Sequence, residues 1–344
     1  MAKLLVTGAT GHLGANLVRA LTDQGEDVRV LLRAGSNNAA VERLDVERCY
    51  GDIRDAGAMR RAVQGCRQVH HCAAKISTVR GGERDIFECN VIGTRNVLDA
   101  ARAEGARVVV TGSLSAVGHL PGRPVDESVP FYPFDRHLPY SRTKMQVEHE
   151  VLRAAADGLD VVVATSCAII GPHDYKPSRL GKLLVRFARG RLYAYVDGGF
   201  EFVTARDIAA GHVLTMRLGR PGQKYIFGSG YASMDELMAM FQRATGRRRP
   251  PVRLPTAVMM GAAQVSSPVL TRLFPRGQQL VTPAAVRLLA MRRRADSTRA
   301  CVELGFRPSP IEDAVHAAYE DFVRRGIIAV PGRSRAVTGR GGGG

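Results

Sequence analysis

Lys3-Leu-Leu-Val-Thr-Gly-Ala-Thr-Gly-His-Leu-Gly14 decides the fold of this chain. Leu4, Leu5 and Val6 read as a short buried strand. Gly8, Gly11 and Gly14 read as a turn opening a helix that runs through Leu17, Val18 and Leu21. Such a turn needs glycine three times: to bend tightly, to let backbone approach a pyrophosphate, and to let the helix lie close on its strand. The helix N-terminus then offers unpaired N–H groups and a positive dipole end to phosphates. The stretch predicts a dinucleotide site.

Working outward, Asp27-Val-Arg-Val-Leu-Leu-Arg33 follows Gly25 as a second apolar strand. At the end of this strand an acid would accept from the adenosine ribose 2′-hydroxyl, whereas an arginine pairs with a 2′-phosphate. Arg33 therefore favours NADP, with NAD as the alternative. In Gly51-Asp-Ile-Arg-Asp55, Asp52 stands either where an adenine amine would donate to it or as a turn and cap residue. Ala73 and Ala74, after the strand Val69-His-His-Cys72, are small enough for a cofactor to pass close by. Glu88 to Ala101 reads as one long helix packed through Val91, Thr94, Val97, Leu98 and Ala101.

Arg107-Val-Val-Val-Thr-Gly112 is apolar throughout, as in a parallel sheet covered on both faces, and Ser113 stands at its carboxyl end. Asp160-Val-Val-Val-Ala164 repeats the pattern. Strands alternating with helices to about residue 170 predict an α/β fold, a Rossmann doubly wound parallel sheet over residues 1–171. A smaller C-terminal substrate-binding lobe is predicted over 172–330, with about 200–220 returning to the first domain and 331–344 a disordered tail. Within that lobe, Glu201 to Val203 and Lys224 to Phe227 read as isolated strands. Ser233-Met-Asp-Glu236 and Ser309-Pro-Ile-Glu312 read as capping boxes, and Thr282-Pro283 as a further helix start.

Pro139-Tyr-Ser-Arg-Thr-Lys144 carries the chemistry. Proline suits a helix start, so Tyr140 and Lys144 fall one turn apart on one face. An ammonium beside the phenol is expected to lower the phenol's pKa and make Tyr140 a usable acid or base. Lys144 is also placed to hold the nicotinamide ribose, and Ser113 to orient a substrate carbonyl.

Composition bounds the rest. The 344 residues carry a net charge of +17, and six of the 49 basic residues are lysine. The runs Arg247, Arg248, Arg249 and Arg292, Arg293, Arg294 lack interleaved aromatics, so they read as solvated surface rather than a nucleic-acid site. Six cysteines without a Cys-x-x-Cys pair read as reduced thiols, and no metal site is expected at His70-His71-Cys72. The apolar tract 254–270 is interrupted by Pro255, Gln264, Ser266, Ser267 and Pro268, a poor membrane span, so the cytoplasm is the expected location.

Taken together, Thr7-Gly-Ala-Thr-Gly-His-Leu-Gly14, Gly51 to Asp55, His71-Cys-Ala-Ala74, Asn90-Val-Ile-Gly-Thr-Arg-Asn-Val97, Ser113, Tyr140 to Lys144, Gly171-Pro172 and Phe202-Val-Thr-Ala-Arg-Asp207 resemble the extended short-chain dehydrogenase/reductases, in family order along nearly the whole chain. The resemblance implies an NAD(P)-dependent oxidoreductase with Ser113, Tyr140 and Lys144 as its catalytic triad. It also implies a cofactor site of Gly8, Thr10, Gly11, His12, Leu13, Gly14, Arg33, Asp52, Ile53, Ala73, Ala74 and Asn90, with Tyr140 and Lys144. Thr111-Gly-Ser113-Leu-Ser115 departs from the usual serine run, and counting back from Gly118 selects Ser113. Nucleotide-sugar dehydratases carry an acidic pair where Leu114 and Ser115 stand, and sugar epimerases an asparagine where Ala168 stands. The chain looks more like the branch of dihydroflavonol reductases, 3β-hydroxysteroid dehydrogenases and hopanoid-associated epimerase-like proteins. The expected function is an NADP-preferring ketoreductase, interconverting a ketone and a secondary alcohol on a fairly apolar small molecule. The alternatives are an NAD-retaining sugar epimerase and a non-catalytic cofactor-binding regulator. The resemblance also suggests a homodimer through the helices near 85–104 and 139–157, and the sequence leaves the oligomeric state open.

Overall fold

The computed structural model describes residues 3–76, 82–131, 139–273 and 282–329. The tail expected at 331–344 lies outside them. Seven parallel strands form the central sheet, in the order Lys224–Phe227, Val161–Ser166, Arg107–Ser113, Gln68–His71, Leu4–Thr7, Val28–Leu32 and Glu47–Tyr50. The chain starts in the middle, builds outward to one edge, then returns to build the other. This reversal opens a crevice beyond the carboxyl ends of Leu4–Thr7 and Gln68–His71, where such sheets bind their ligands.

Strand alternation divides the core between two faces. Leu5, Val69, Val108, Val110, Val161 and Val163 face one helical layer, meeting Met59, Val97, Leu98, Val147 and Val151. Leu4, Val6 and Val30 face the other, against Leu17, Val18 and Leu21 of the first helix, His12–Thr22. Val213 belongs to this second cluster and comes from the helix Ala205–Leu218, which carries the chain back from the second lobe. Lys224–Phe227 is therefore not an isolated strand: it pairs with Val161–Ser166 as the sheet's edge. Its periodicity was legible, but its neighbour lies some sixty residues earlier in the chain and left no local signal.

The second lobe is built on Ala168–Ile170 and Gly230–Ser233, flanking Gly199–Thr204. Phe202, Leu237, Phe241 and Phe322 form its core with the helices Arg179–Ala188, Met234–Thr245 and Ile311–Arg324. Ser233 and Glu236 make the reciprocal capping box, and Thr282 caps the helix Pro283–Ala290. Ser309 does not cap. Its N–H and hydroxyl both donate to the buried Asp207 side chain at 2.7 Å, and the helix Ile311–Arg324 begins without a side-chain cap.

Candidate active site

The glycine turn is held in the conformation its residues permit. Gly8 has φ +71°, and a Cβ there would lie 2.6 Å from the amide nitrogen of Ala73, so the turn and the loop after Gln68–His71 touch backbone to backbone. A Cβ on Gly14 would stand 2.2 Å from the Gly8 carbonyl oxygen, which is how the helix sits down on the turn. Gly11 is the N-cap of His12–Thr22, offers no side-chain cap, and no acidic residue occupies the first turn. The orphan N–H groups and the positive dipole end are left for an anion.

A cleft of about 380 Å³ opens in front of them, within the range of cofactor sites. Gly8, Thr10 and Gly11 form its floor, with Arg33, Asp52, Ile53, Ala73 and Ala74 around it. Both oxygens of Asp52 already accept from Arg54, at 3.0 and 2.8 Å, and this pairing holds the carboxyl below its ordinary range. Leu13 and His12 do not line this cleft. Leu13 is buried in the core with Val109 and Ile208. The His12 imidazole Nε2 faces the carbonyls of Gly171 and Pro172, both at 3.1 Å, and therefore carries the proton. These two residues pack behind the turn, outside the cleft lining. The glycine cradle and uncapped helix end fit a dinucleotide pyrophosphate.

Ser113 ends the strand Arg107–Ser113, and Tyr140 and Lys144 lie one turn apart in the helix Pro139–Ala156. These three lie outside the cleft lining, one strand along the sheet from it. The Ser113 hydroxyl accepts from Ser115 N–H at 3.2 Å and is the hydrogen-bond partner of the Tyr140 phenol. Tyr140 as a residue is half-buried, but its hydroxyl end is sunk among protein atoms. That desolvation pushes the phenol up to about 12, against a smaller downward pull from Ser113.

The phenol is thus raised, where the Tyr140–Lys144 spacing led us to expect it lowered, and Lys144 is not among the groups acting on it. The physical reason is where the ammonium goes. Lys144 is 5% exposed, and its Nζ donates at 2.8 Å to the Thr111 carbonyl at the strand end. Burial lowers its pKa to about 8, with Cys72 and Glu148 acting back upward.

Asn90 joins the two halves of the site. The helix read as one from Glu88 is helical throughout but starts earlier and contains a π-turn: Glu83–Phe87, the π-helical Glu88–Ile92, then Gly93–Glu104. From that turn the buried Asn90 Oδ1 accepts from the Lys75 amide at 2.7 Å. Its Nδ2 donates to the Lys75 carbonyl at 3.0 Å and the Thr143 hydroxyl at 3.1 Å. Thr143 in turn donates to the Tyr140 carbonyl at 2.8 Å. One side chain ties the cleft wall to the start of the Tyr140 helix. Beneath it, the neutral His71 ring bonds Thr7 (2.8 Å) on one side and Thr94 (3.0 Å) on the other, an internal strut.

Sequence reasoning missed the residues that arrive from the second lobe. Lys176 lines the cleft, with its Nζ 3.1 Å from the Thr10 hydroxyl. Arg293, in what read as a surface basic run, turns inward and donates to the carbonyls of Val117 and Gly118, at 2.5 and 2.6 Å, just beyond Ser113. No spacing rule could place either residue, because each meets a partner more than 150 positions away.

Residues 4–228 match the model of the NAD dependent epimerase/dehydratase family. The chain belongs to this family. Like its other members that reduce or oxidise substrates, it is an NAD(P)-dependent oxidoreductase of the extended short-chain dehydrogenase/reductase type. Among curated proteins it is 40% identical over 325 residues to sterol demethylase protein B of Methylococcus capsulatus, covering 94% of this chain and 99% of that one. It is 32% identical over 302 residues to 2-alkyl-3-oxoalkanoate reductase of Stenotrophomonas maltophilia, covering 84% and 88%. The crystal structure of gox2253 has a TM-score of 0.83 and 30% identity, covering 96% of this chain and 100% of that one. Among the described residues, no helix is long and apolar enough to cross a membrane.

Proposed function

We propose that the protein is a cytoplasmic, NADP-preferring ketoreductase that interconverts a ketone and a secondary alcohol on a fairly apolar small molecule. The observation that carries this reading is the Ser113–Tyr140 pair, with Lys144 bonded to the same strand end at Thr111, two strands along the sheet from the strand that leads into the glycine cradle. A phenol held protonated up to about pH 12 suits the reductive direction, in which it must give a proton. The bound cofactor would supply a hydride to the carbonyl carbon. Tyr140 then protonates the oxygen as the carbonyl electron pair moves onto it, Ser113 fixes that oxygen, and Lys144 returns a proton to Tyr140. Ser113 and Tyr140 hold the carbonyl, and Asn90 positions the helix that carries Tyr140.

An apolar substrate is supported by Leu114, Ser115 and Ala168, which replace the polar groups of the sugar-processing branch, and by the sterol and alkyl-ketone names of the two relatives. Exposed Phe87 and Leu152, on the helical layer that carries Tyr140, suit a homodimer through that face.

Arg33 is the basis of the cofactor preference. In fluorescence titrations the wild type is expected to bind NADPH about tenfold or more tighter than NADH, one charge-assisted contact's worth. Arg33→Asp should remove that difference. Equal affinity in the wild type, or tight NAD carried through purification, would overturn the NADP preference and favour the epimerase.

A further inference from the structure

We infer that Lys176, carried by the second lobe, is the second cation of a 2′-phosphate site completed by Arg33 and Thr10, so that the phosphorylated ribose is gripped from both lobes at once. Lys176's role presupposes the NADP preference proposed above.

Lys176 reaches across the cleft to the glycine turn, where its ammonium donates to the Thr10 hydroxyl at 3.1 Å. Arg33 lines the same end of the cleft, at the carboxyl end of Val28–Leu32, with Ser36 beside it. The two cations feel each other, since Arg33's charge is one cause of a lowered Lys176 pKa, after desolvation. Among the described residues, neither lies within ion-pair distance of a carboxylate, although 23 such pairs occur elsewhere in the protein. Two like charges thus line one cleft, Lys176 bonded to the Thr10 hydroxyl and Arg33 acting on Asp52 only from beyond ion-pair distance, and together they form a site for a dianionic group. A phosphate monoester carries about −1.5 to −2 near neutrality and accepts several charge-assisted bonds.

The segment that carries Lys176 is fixed rather than loose. Asn16 Nδ2 donates to the Pro172 carbonyl at 2.9 Å, beside the His12 contacts. Two guanidinium groups stand over the Tyr175 ring, Arg19 at 5.4 Å and Arg325 at 4.6 Å, and its hydroxyl accepts from Arg19 at 3.0 Å. His173 is held at φ +61°, an uncommon conformation for a non-glycine residue, by its N–H bond to the buried Asp321 carboxylate at 3.1 Å. Lys176 is therefore presented by a braced loop, which reduces the ordering cost of phosphate binding.

The test is calorimetric titration with adenosine 2′,5′-bisphosphate and adenosine 5′-monophosphate, on wild type, Lys176→Met and Lys176→Arg, with thermal unfolding to confirm that each variant is folded. The wild type should prefer the bisphosphate. Lys176→Met should lose about tenfold in affinity for the bisphosphate and change by less than about twofold for the monophosphate. Lys176→Arg, which keeps the charge, should retain most of the preference. A wild-type preference unchanged in Lys176→Met would overturn the assignment of Lys176 and leave the NADP reading standing. Equal weakening of both ligands would also overturn it, by making Lys176 a general clamp. A wild type without any preference for the bisphosphate would overturn both.

Discussion

Tyr140→Phe should abolish ketone reduction, lowering kcat by about a hundred- to ten-thousandfold, the usual contribution of a positioned general acid, while NADPH affinity stays within about twofold. The substitution removes one oxygen and keeps the ring, so the helix Pro139–Ala156 and the Asn90–Thr143 tie are undisturbed. It leaves the carbonyl oxygen without its proton donor. Ser113 cannot substitute, because an aliphatic hydroxyl is a far weaker acid than a phenol. Steady-state rates with a turned-over ketone, beside a cofactor titration, separate the two effects. Undiminished turnover in Tyr140→Phe would rule out the proton-donor role. Loss of cofactor binding together with turnover would show instead that the phenol acts in holding the dinucleotide.

The second large effect is on stability. Lys144 is charged in the unfolded chain up to about 10.5, whereas burial brings its pKa down to about 8 in the folded protein. Its folded pKa is depressed, so below about 8 both states hold the proton and the folded state bears the whole cost of a buried ammonium. Between about 8 and 10.5 the unfolded chain binds more protons than the folded one, and stability rises with pH from this group. The span of 2.5 units corresponds to about 3 kcal/mol. Lys144→Met removes the titration. Urea unfolding of the two proteins should show their stability difference shifting by about 3 kcal/mol in favour of the wild type between about pH 7 and pH 11. The loss of the Thr111 hydrogen bond and the titration of Tyr140 contribute nearly equally at both pH values or to both proteins, so they drop out of that shift. A difference independent of pH would contradict a buried, partly deprotonated Lys144. The same variant should be inactive.

The two parts of the site that the sequence made legible are those in which the chemistry is local. Gly8, Gly11 and Gly14 sit within seven residues, and the backbone they permit is the phosphate cradle itself. Pro139, Tyr140 and Lys144 lie within one and a half helical turns, so their shared face followed from the spacing. What was not legible is set by contacts between distant segments. The spacing gave the proximity of Lys144 to Tyr140 but not the direction of its ammonium, which the Thr111 carbonyl decides across 33 positions. The π-turn at Glu88–Ile92 lies inside a stretch that is helical by period, and it carries Asn90 with its three bonds to Lys75 and Thr143, which no local pattern signals. Ser309 had the neighbours of a capping residue, but Asp207, a hundred positions earlier, claims both its polar groups. Lys176 and Arg293 are ordinary basic residues in sequence, and only the closure of the second lobe over the first gives them a place in the site.

The most direct test of the central claim is to follow deuterium from NADPH labelled on the transferring face of the nicotinamide ring into product, with a panel of apolar cyclic and alkyl ketones and mass detection of the alcohol. Both labelled faces would be supplied in parallel reactions. Ketone reduction by hydride transfer places one deuterium at the carbinol carbon of an alcohol, from one face only, with one NADP⁺ formed per product molecule. An unlabelled product, or interconversion of a nucleotide sugar with no NADPH consumed and NAD retained by the protein, would contradict it and make the protein an epimerase.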